Sequence, residues 1–289
     1  AGSGCDPYTV SRAKAILTEH GIKPVVGRKP VAGRMTLLLG VNGSGDLADK
    51  TATRLSMART VFAQPKYDRH AIAVAGDKAG NALIVVLGEN TDAVFCGLAS
   101  VEQMLDQQPG SLSKVRIYDY ADTQYRGVIE GYYGVPYSKE ATEDLFRFMA
   151  RYKMNTYLYG AKSDPYHSEK WKEAYPASLT AEQEKNGWMS QDMISEVSEV
   201  SHQTKVNFIW AIHPGNDFVY SNTVVNDIMG KYEKMYSLGV RHFAVFVDDV
   251  GVPNADADLK ANADHLTELQ HAIENKWNTP DAAPADTVR

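Results

Sequence analysis

The sequence of 289 residues has no long apolar run and no concentration of positive charge. Its apolar stretches fall short of the roughly 18 residues that a membrane-spanning helix needs. Its first five residues, Ala-Gly-Ser-Gly-Cys, lack the apolar core of a signal peptide. The formal net charge is −6, and no block of Lys and Arg supplies the basic surface that nucleic acids or anionic membranes require. The composition argues against both as partners.

Cysteine, metal-ligand motifs and phosphate-binding loops are also scarce. The two cysteines, Cys5 and Cys96, give no support for a disulfide framework, and Cys96 in an apolar helix face is typical of a buried, unreactive thiol. The eight His residues are scattered, without the close spacing of metal-ligand motifs. No Gly-rich loop follows a strand in the spacing of a dinucleotide fold. The sequence therefore predicts neither a metal nor an organic cofactor.

The first 122 residues show a mixed pattern of helices and strands. Two of the apolar strands are separated by a short Gly-containing turn, which predicts that they form a hairpin. Nothing in this stretch resembles a catalytic group, so we expect an N-terminal α/β domain over residues 1–122. The predicted helices cover 8–20, a segment from Asp46 onward, and 93–105, and the predicted strands cover 35–41, 70–75, 82–87 and 114–118.

From residue 123 the pattern becomes strand then helix, four times in succession. This alternation is typical of a parallel sheet, and the missing phosphate loop favours the first half of a (β/α)8 TIM-type barrel over a doubly wound sheet. Half a barrel leaves two unpaired edges and an exposed core. We therefore expect residues 123–289 to be the N-terminal half of the barrel, with the rest beyond residue 289 and the tail from Thr279 leading to a fifth strand. The predicted strands cover 127–130, 155–159, 206–212 and 243–247, and the predicted helices cover 138–152, 191–203, 224–238 and 259–276.

The fourth strand ends in two adjacent carboxylates, Asp248 and Asp249. In barrels of alternating strands and helices, catalytic groups lie at the carboxyl ends of the strands. A single Asp at this point is also typical of a turn or a helix N-cap. Two in succession repel each other and separate their pKa values, which favours a pair that serves as acid and base.

The other three strands also end in residues that do not belong in a core. Taken singly, Tyr132 and Tyr133 are compatible with a tight turn, Lys162 with a solvated loop charge, and His213 with a hydrogen-bonded core histidine. Together, rings, carboxylates and a lysine that converge on one face are typical of sugar recognition, because rings pack on a pyranose while polar groups bind its hydroxyls. The candidate residues are Gly131, Tyr132, Tyr133, Lys162, His213, Asp217, Asp248 and Asp249.

Four motifs carry these residues in order along the chain: Arg-Gly-Val-Ile-Glu-Gly-Tyr-Tyr-Gly at 126–134, Asn-Thr-Tyr-Leu-Tyr at 155–159 running on to Lys162 and Asp-Pro-Tyr-His at 164–167, Ile-His-Pro-Gly at 212–215, and Phe-Val-Asp-Asp at 246–249. In this order they resemble glycoside hydrolase family 84, the bacterial β-N-acetylglucosaminidases related to protein O-GlcNAcase. Family members often have Phe at the position of Tyr132 and Asp at that of Ser163.

The resemblance implies a retaining, substrate-assisted hydrolysis of terminal β-linked N-acetylglucosamine on glycans or glycoproteins, without a metal or cofactor. The substrate's own acetamido oxygen attacks the anomeric carbon and forms an oxazoline. By motif position, Asp248 would hold the acetamide N–H, and Asp249 would protonate the leaving oxygen and later activate water. Gly131 would offer its carbonyl and Lys162 its ammonium to the sugar. A bacterial, periplasmic or secreted location is a further expectation from the family.

Two alternatives stay open from the residues alone. The first is a catalytically silent N-acetylglucosamine-binding module on the same barrel. The second is a metal-dependent hydrolase that uses Asp248, Asp249 and His213, against which the scattered His residues argue. The sequence does not fix the natural substrate or the oligomeric state.

Overall fold

The computed structural model describes residues 1–27, 29–76, 80–248 and 255–289. The chain forms two compact units, one of Ala1–Arg126 with Met149–Met154 and one of Gly127–Phe148 with Asn155–Arg289. Within the first unit, the side chain of Lys153 donates to Asp119 Oδ2 at 2.6 Å and to Ser100 Oγ at 2.7 Å. These bonds fasten the segment 149–154 into that unit, although it lies well past residue 126 in sequence.

The first unit is a four-stranded sheet between helices. Its strand order is β1-β3-β2-β4, with β1 parallel to β3 and β2 antiparallel to both of its neighbours, so the predicted hairpin is confirmed. Alternate strand residues form two apolar layers: Ile72 and Ile84 belong to one, and Ala71 and Val85 to the other. The elements are α1 Pro7–Glu19, β1 Thr36–Val41, α2 Leu47–Arg54, a 3₁₀ turn Thr60–Ala63, β2 Tyr67–Gly76, β3 Ala82–Gly88, α3 Thr91–Gln107 and β4 Val115–Ala121.

The second unit repeats strand and helix around a parallel sheet of order β5-β6-β7-β8, as predicted. Two short helices, α5 and α7, were not predicted, because five and four residues are too few to show a helical period. The elements are β5 Gly127–Glu130, α4 Lys139–Arg151, β6 Thr156–Tyr159, α5 Ala181–Lys185, α6 Gln191–Thr204, β7 Asn207–Ile212, α7 Asp217–Tyr220, α8 Val224–Ser237, β8 His242–Val245 and α9 Ala255–Trp277. The last three residues of α4 belong to the first unit.

The two faces of the second sheet differ in burial. On the helix-covered face, Tyr157 and Phe208 are fully buried against Phe146 of α4, with ring centroids 5.1 and 6.1 Å from it. Side chains on a strand alternate between faces. The strand residues next to Tyr157 and Phe208 in sequence therefore point to the opposite face. There Ile129 is 67% exposed, and its register neighbour Leu158 is half-buried. Within the described residues, this second face lacks a covering layer.

The free edge of β8 is met by the end of the tail. Arg289 donates its backbone N–H to Arg241 O at 3.0 Å and accepts from Phe243 N at 2.7 Å. This pair of bonds around one residue is the pattern of a parallel ladder. The preceding Val288 is held by the side chain of Asn278, which both donates to its carbonyl and accepts from its N–H at 2.8 Å. Among the described residues, no helix is both long and apolar enough to cross a membrane.

Candidate active site

The carboxyl ends of the parallel strands are joined by backbone hydrogen bonds. Gly160 N donates to Glu130 O at 3.0 Å, which links the ends of β5 and β6, and Phe246 N donates to Ile212 O at 2.7 Å, which links β7 and β8. Lys162 N donates to Tyr132 O at 3.2 Å. The segments that carry the predicted site residues therefore meet at one edge of the sheet, as the strand order requires.

Asp248 and Lys162 form an ion pair at this edge. The ammonium of Lys162 donates directly to Asp248 Oδ2, and the side chains are 15% and 48% exposed respectively. The hydrogen bond from Lys162 lowers the pKa of Asp248 below its usual value, and burial opposes this only in part. Asp248 is therefore held as a carboxylate, the form that can accept an N–H hydrogen bond and stabilise a positive charge.

His213 contacts the backbone of Asp248. Its Nε2 lies 2.8 Å from the Asp248 carbonyl oxygen and 3.6 Å from Oδ1. A carbonyl oxygen only accepts, so Nε2 carries the hydrogen in this contact. The predicted cleft residue is thus placed beside the predicted catalytic carboxylate. The second predicted carboxylate, Asp249, lies outside the described residues.

The loop after β5 presents Gly131, Tyr132 and Tyr133. Tyr133 is 78% exposed, whereas Tyr132 packs edge to face on Tyr137 at 5.7 Å and directs its hydroxyl to Glu130 Oε1 at 3.4 Å. Gly131 is exposed. These residues offer one exposed ring, that of Tyr133, and one exposed backbone segment, at Gly131, to a ligand.

Two further contacts concern this loop and the predicted Asp217. Ser163 Oγ accepts from Gly134 N at 3.1 Å, so the Ser that departs from the family pattern ties the loops after β5 and β6 together. Asp217 begins α7, and its carboxylate pairs with Lys172 at 3.3 Å. Lys172 also binds Asp227 of α8 at 3.0 Å. The contacts of Asp217 are thus with a lysine that the sequence analysis did not single out.

Two buried carboxylates were not predicted. Glu130 ends β5, accepts from Tyr137 N at 2.8 Å and from the hydroxyl of Tyr157, and has its pKa raised by burial. It thereby closes the loop that carries Gly131. The sequence signal was a Glu at the end of an apolar strand. Glu130 lies within the motif at 126–134 but was not chosen as a candidate site residue.

The other is Asp164, two residues after Lys162. Its side chain is fully buried and accepts from Tyr159 Oη at 2.7 Å, Tyr175 Oη at 2.5 Å and Tyr166 N at 2.8 Å. Three hydrogen bonds satisfy the buried carboxyl oxygens. The loop that presents Lys162 therefore rests on a packed polar anchor.

Lys231 of α8 lies next to this anchor. Its ammonium is 4.8 Å from the ring centroid of Tyr175 and 5.2 Å from that of Trp210, and it donates to Glu173 O at 2.5 Å. Burial lowers the pKa of Lys231 to about 8, and the negative charge of Asp164 opposes this shift. The helix thus contributes a buried cation to the support of the loop.

A cavity of about 750 Å³ lies in the first unit rather than at these strand ends. It is lined by parts of α1, β1 and the start of α2, and its described lining contains one carboxylate, Asp46, which caps α2 by accepting from Asp49 N at 2.9 Å. We assign no chemistry to it. In the described ranges, no three His, Cys, Asp or Glu side chains are grouped so as to hold a metal ion.

Comparison with known proteins places this site in a family. Residues 126–286 match the β-N-acetylglucosaminidase family NAGidase. The chain is 34% identical over 125 residues to Protein O-GlcNAcase of Rattus norvegicus and of Mus musculus, a match that covers 43% of this chain and 12% of each relative. It therefore spans only a small part of the length of these relatives.

Two solved structures agree with that match. CpGH84D has a TM-score of 0.77 and 33% sequence identity, with 94% of this chain and 44% of that chain covered. CpGH84B has a TM-score of 0.61 and 25% identity, with 98% and 45% covered. From the family match over more than half of its residues, and from these structures, the chain belongs to the β-N-acetylglucosaminidases of glycoside hydrolase family 84.

Proposed function

We propose that this protein is a retaining exo-β-N-acetylglucosaminidase that releases terminal β-linked N-acetylglucosamine from glycans or glycoproteins. The observation that carries the proposal is Asp248, a carboxylate held in its ionised form by Lys162 at the carboxyl end of a parallel strand. Family membership supplies the substrate class.

The proposed chemistry is substrate-assisted. The acetamido oxygen attacks the anomeric carbon as the bond to the leaving oxygen breaks, and Asp249 gives that oxygen a proton. Asp248 accepts the acetamide N–H and stabilises the positive charge of the oxazoline. Asp249 then removes a proton from water, which opens the oxazoline and restores the β-configuration. Gly131 O and Lys162 Nζ bind sugar hydroxyls, and the exposed ring of Tyr133 packs on the substrate.

We further infer that the sheet β5–β8 is the first half of a (β/α)8 barrel. The exposed Ile129 on the uncovered face is the kind of side chain that fills a barrel interior. Arg289 already occupies a ladder position beside β8. Four more strands would cover the face and bring further sugar-binding groups to the same edge.

The test is hydrolysis of aryl 2-acetamido-2-deoxy-β-glucopyranosides by the full-length protein. We expect turnover with retention of configuration. Replacement of the acetyl group by trifluoroacetyl should lower kcat steeply, because the fluorines withdraw electrons from the attacking oxygen. An unchanged kcat would mean that an enzyme nucleophile forms the intermediate. Binding of N-acetylglucosamine with no product over long incubation would favour the silent binding module.

Substrates with different leaving groups distinguish the role of Asp248 from that of Asp249. In Asp249→Asn, we expect turnover of substrates with poor leaving groups to fall by about 10²- to 10⁴-fold, because they need a general acid. Turnover of substrates whose leaving group is an activated phenol should fall far less. Asp248→Asn should lose rate on all 2-acetamido substrates. Equal losses on both leaving groups in Asp249→Asn would contradict its assigned role.

A further inference from the structure

The contact between His213 and the Asp248 carbonyl controls a peptide group rather than a side chain. The carbonyl accepts from Nε2 at 2.8 Å. A peptide unit is planar, so fixing this oxygen fixes the plane of the backbone at Asp248, from which the carboxylate that pairs with Lys162 projects.

The imidazole of His213 is itself held in place. Its backbone N–H donates to His167 O at 2.9 Å, and its ring meets the ring of His167 edge to face at 6.1 Å. His167 is fully buried, bonds Ala211 O through Nδ1 at 2.8 Å, and packs edge to face on Phe246 at 5.5 Å. The donor therefore projects from a packed platform formed by the loop after β6 and the ends of β7 and β8.

We infer that His213 is a positioning residue: its Nε2–H holds the backbone carbonyl of Asp248, and so fixes the orientation in which the Asp248 carboxylate is presented. This role rests on the proposed function. His213 itself forms no bond to the reacting atoms in this scheme. What it supplies is alignment, and misplacement of catalytic groups by about 1 Å can cost on the order of 10²-fold in rate.

The test compares three variants of the full-length protein on an aryl N-acetylglucosaminide. His213→Phe keeps a ring but removes the donor, and we expect kcat to fall by about 10- to 100-fold with KM changed far less. His213→Gln retains an N–H donor and should recover most of that loss. The matched control is His202→Phe, because His202 Nε2 makes the same kind of bond to Gly239 O at 3.0 Å, ahead of β7 and β8. Its kcat should equal that of the wild type.

The hydrogen on Nε2 gives a readout that needs no turnover. We expect ¹⁵N NMR of the wild-type His213 imidazole to show a hydrogen on Nε2, and an Nε2 without a hydrogen would overturn the contact. An active wild type with unchanged kcat in His213→Phe, or equal losses in His213→Phe and His202→Phe, would overturn the positioning role alone. A wild type without turnover would refute the proposed function, and the positioning role with it.

Discussion

At the scale of single residues, the site is governed by the charge that Lys162 places on Asp248. Lys162 is both a proposed sugar ligand and the donor that lowers the pKa of Asp248. The ammonium of Lys162 and the carboxylate of Asp248 are hydrogen-bonded to each other. A substrate must therefore compete for Lys162 while leaving Asp248 ionised.

We expect Lys162→Met to move the acid limb of the kcat/KM profile to higher pH. Activity requires the Asp248 carboxylate and is lost as the pH falls through its pKa, which Lys162 lowers. Without the lysine the pKa rises, so the loss begins at a higher pH. The control is Lys172→Met, which removes another lysine paired with carboxylates, those of Asp217 and Asp227. An acid limb that stays in place in Lys162→Met would contradict the assignment.

At the scale of elements, the loop after β6 depends on close packing against the end of β8. A Cβ built on Gly160 would lie 2.3 Å from Phe246 Cε2, so the ring would have to move. Phe246 also packs on His167, and Lys162 Nζ lies 5.8 Å from its ring centroid. A small displacement here is therefore transmitted to the site.

Gly160→Ala should lower both kcat and stability, the latter by about 1–3 kcal/mol as is typical of overpacking. Gly230→Ala is the control, because Gly230 lies in α8 and a Cβ there meets no atom within 4 Å. That change should be neutral or stabilise by about 1 kcal/mol, since Ala favours a helix more than Gly does. Denaturant unfolding and steady-state kinetics measure the two effects. Equal outcomes for the two variants would refute the argument.

The helix α8 gives a pH-dependent prediction through Lys231. Its pKa is about 8 in the folded protein and about 10.4 in an unfolded chain. Between these values the unfolded chain binds more protons, so the free energy of unfolding rises with pH. From pH 8 to 9.5 the wild type should gain on the order of 1 kcal/mol relative to Lys231→Met. Lys260→Met, which removes an exposed lysine of α9, should follow the wild type. Parallel curves for wild type and Lys231→Met would contradict the buried charge.

The sequence predicted the strands, the longer helices and the edge of the sheet where the site lies, because apolar periodicity and parallel strand order are local and topological properties. It also brought Lys162, His213 and Asp248 to one edge correctly. It did not separate Glu130 and Asp164 from the surrounding motif residues, because burial of a carboxylate depends on tyrosines that arrive from elsewhere in the chain. The partner of Asp217 was missed for the same reason.

At the scale of the whole molecule, one face of the second sheet is not covered by any other element among the described residues. Ile129 belongs to a strand, yet its exposure matches that of Val25, which lies outside any strand or helix (67% and 69%). Under the half-barrel proposal, Ile129 faces an interior formed by further strands and becomes buried, whereas Val25 stays exposed.

Ile129→Lys in the full-length protein should therefore destabilise by about 2 kcal/mol or more, because it places a charge in a barrel interior. Val25→Lys should change stability by less than about 0.5 kcal/mol, as exposed substitutions usually do. Thermal and denaturant unfolding would measure both. A neutral Ile129→Lys would mean that this face stays open to water, and would remove the main support for the barrel.

The assignment of Met149–Met154 to the first unit determines where the chain can be divided. No single cut in the chain separates the two units, since six residues of the first are encoded inside the first strand-helix-strand repeat of the second. A fragment of the first unit that stopped at Arg126 would lack Lys153, and hence its hydrogen bonds to Asp119 and Ser100. An intact first unit therefore requires a chain that extends through residue 154.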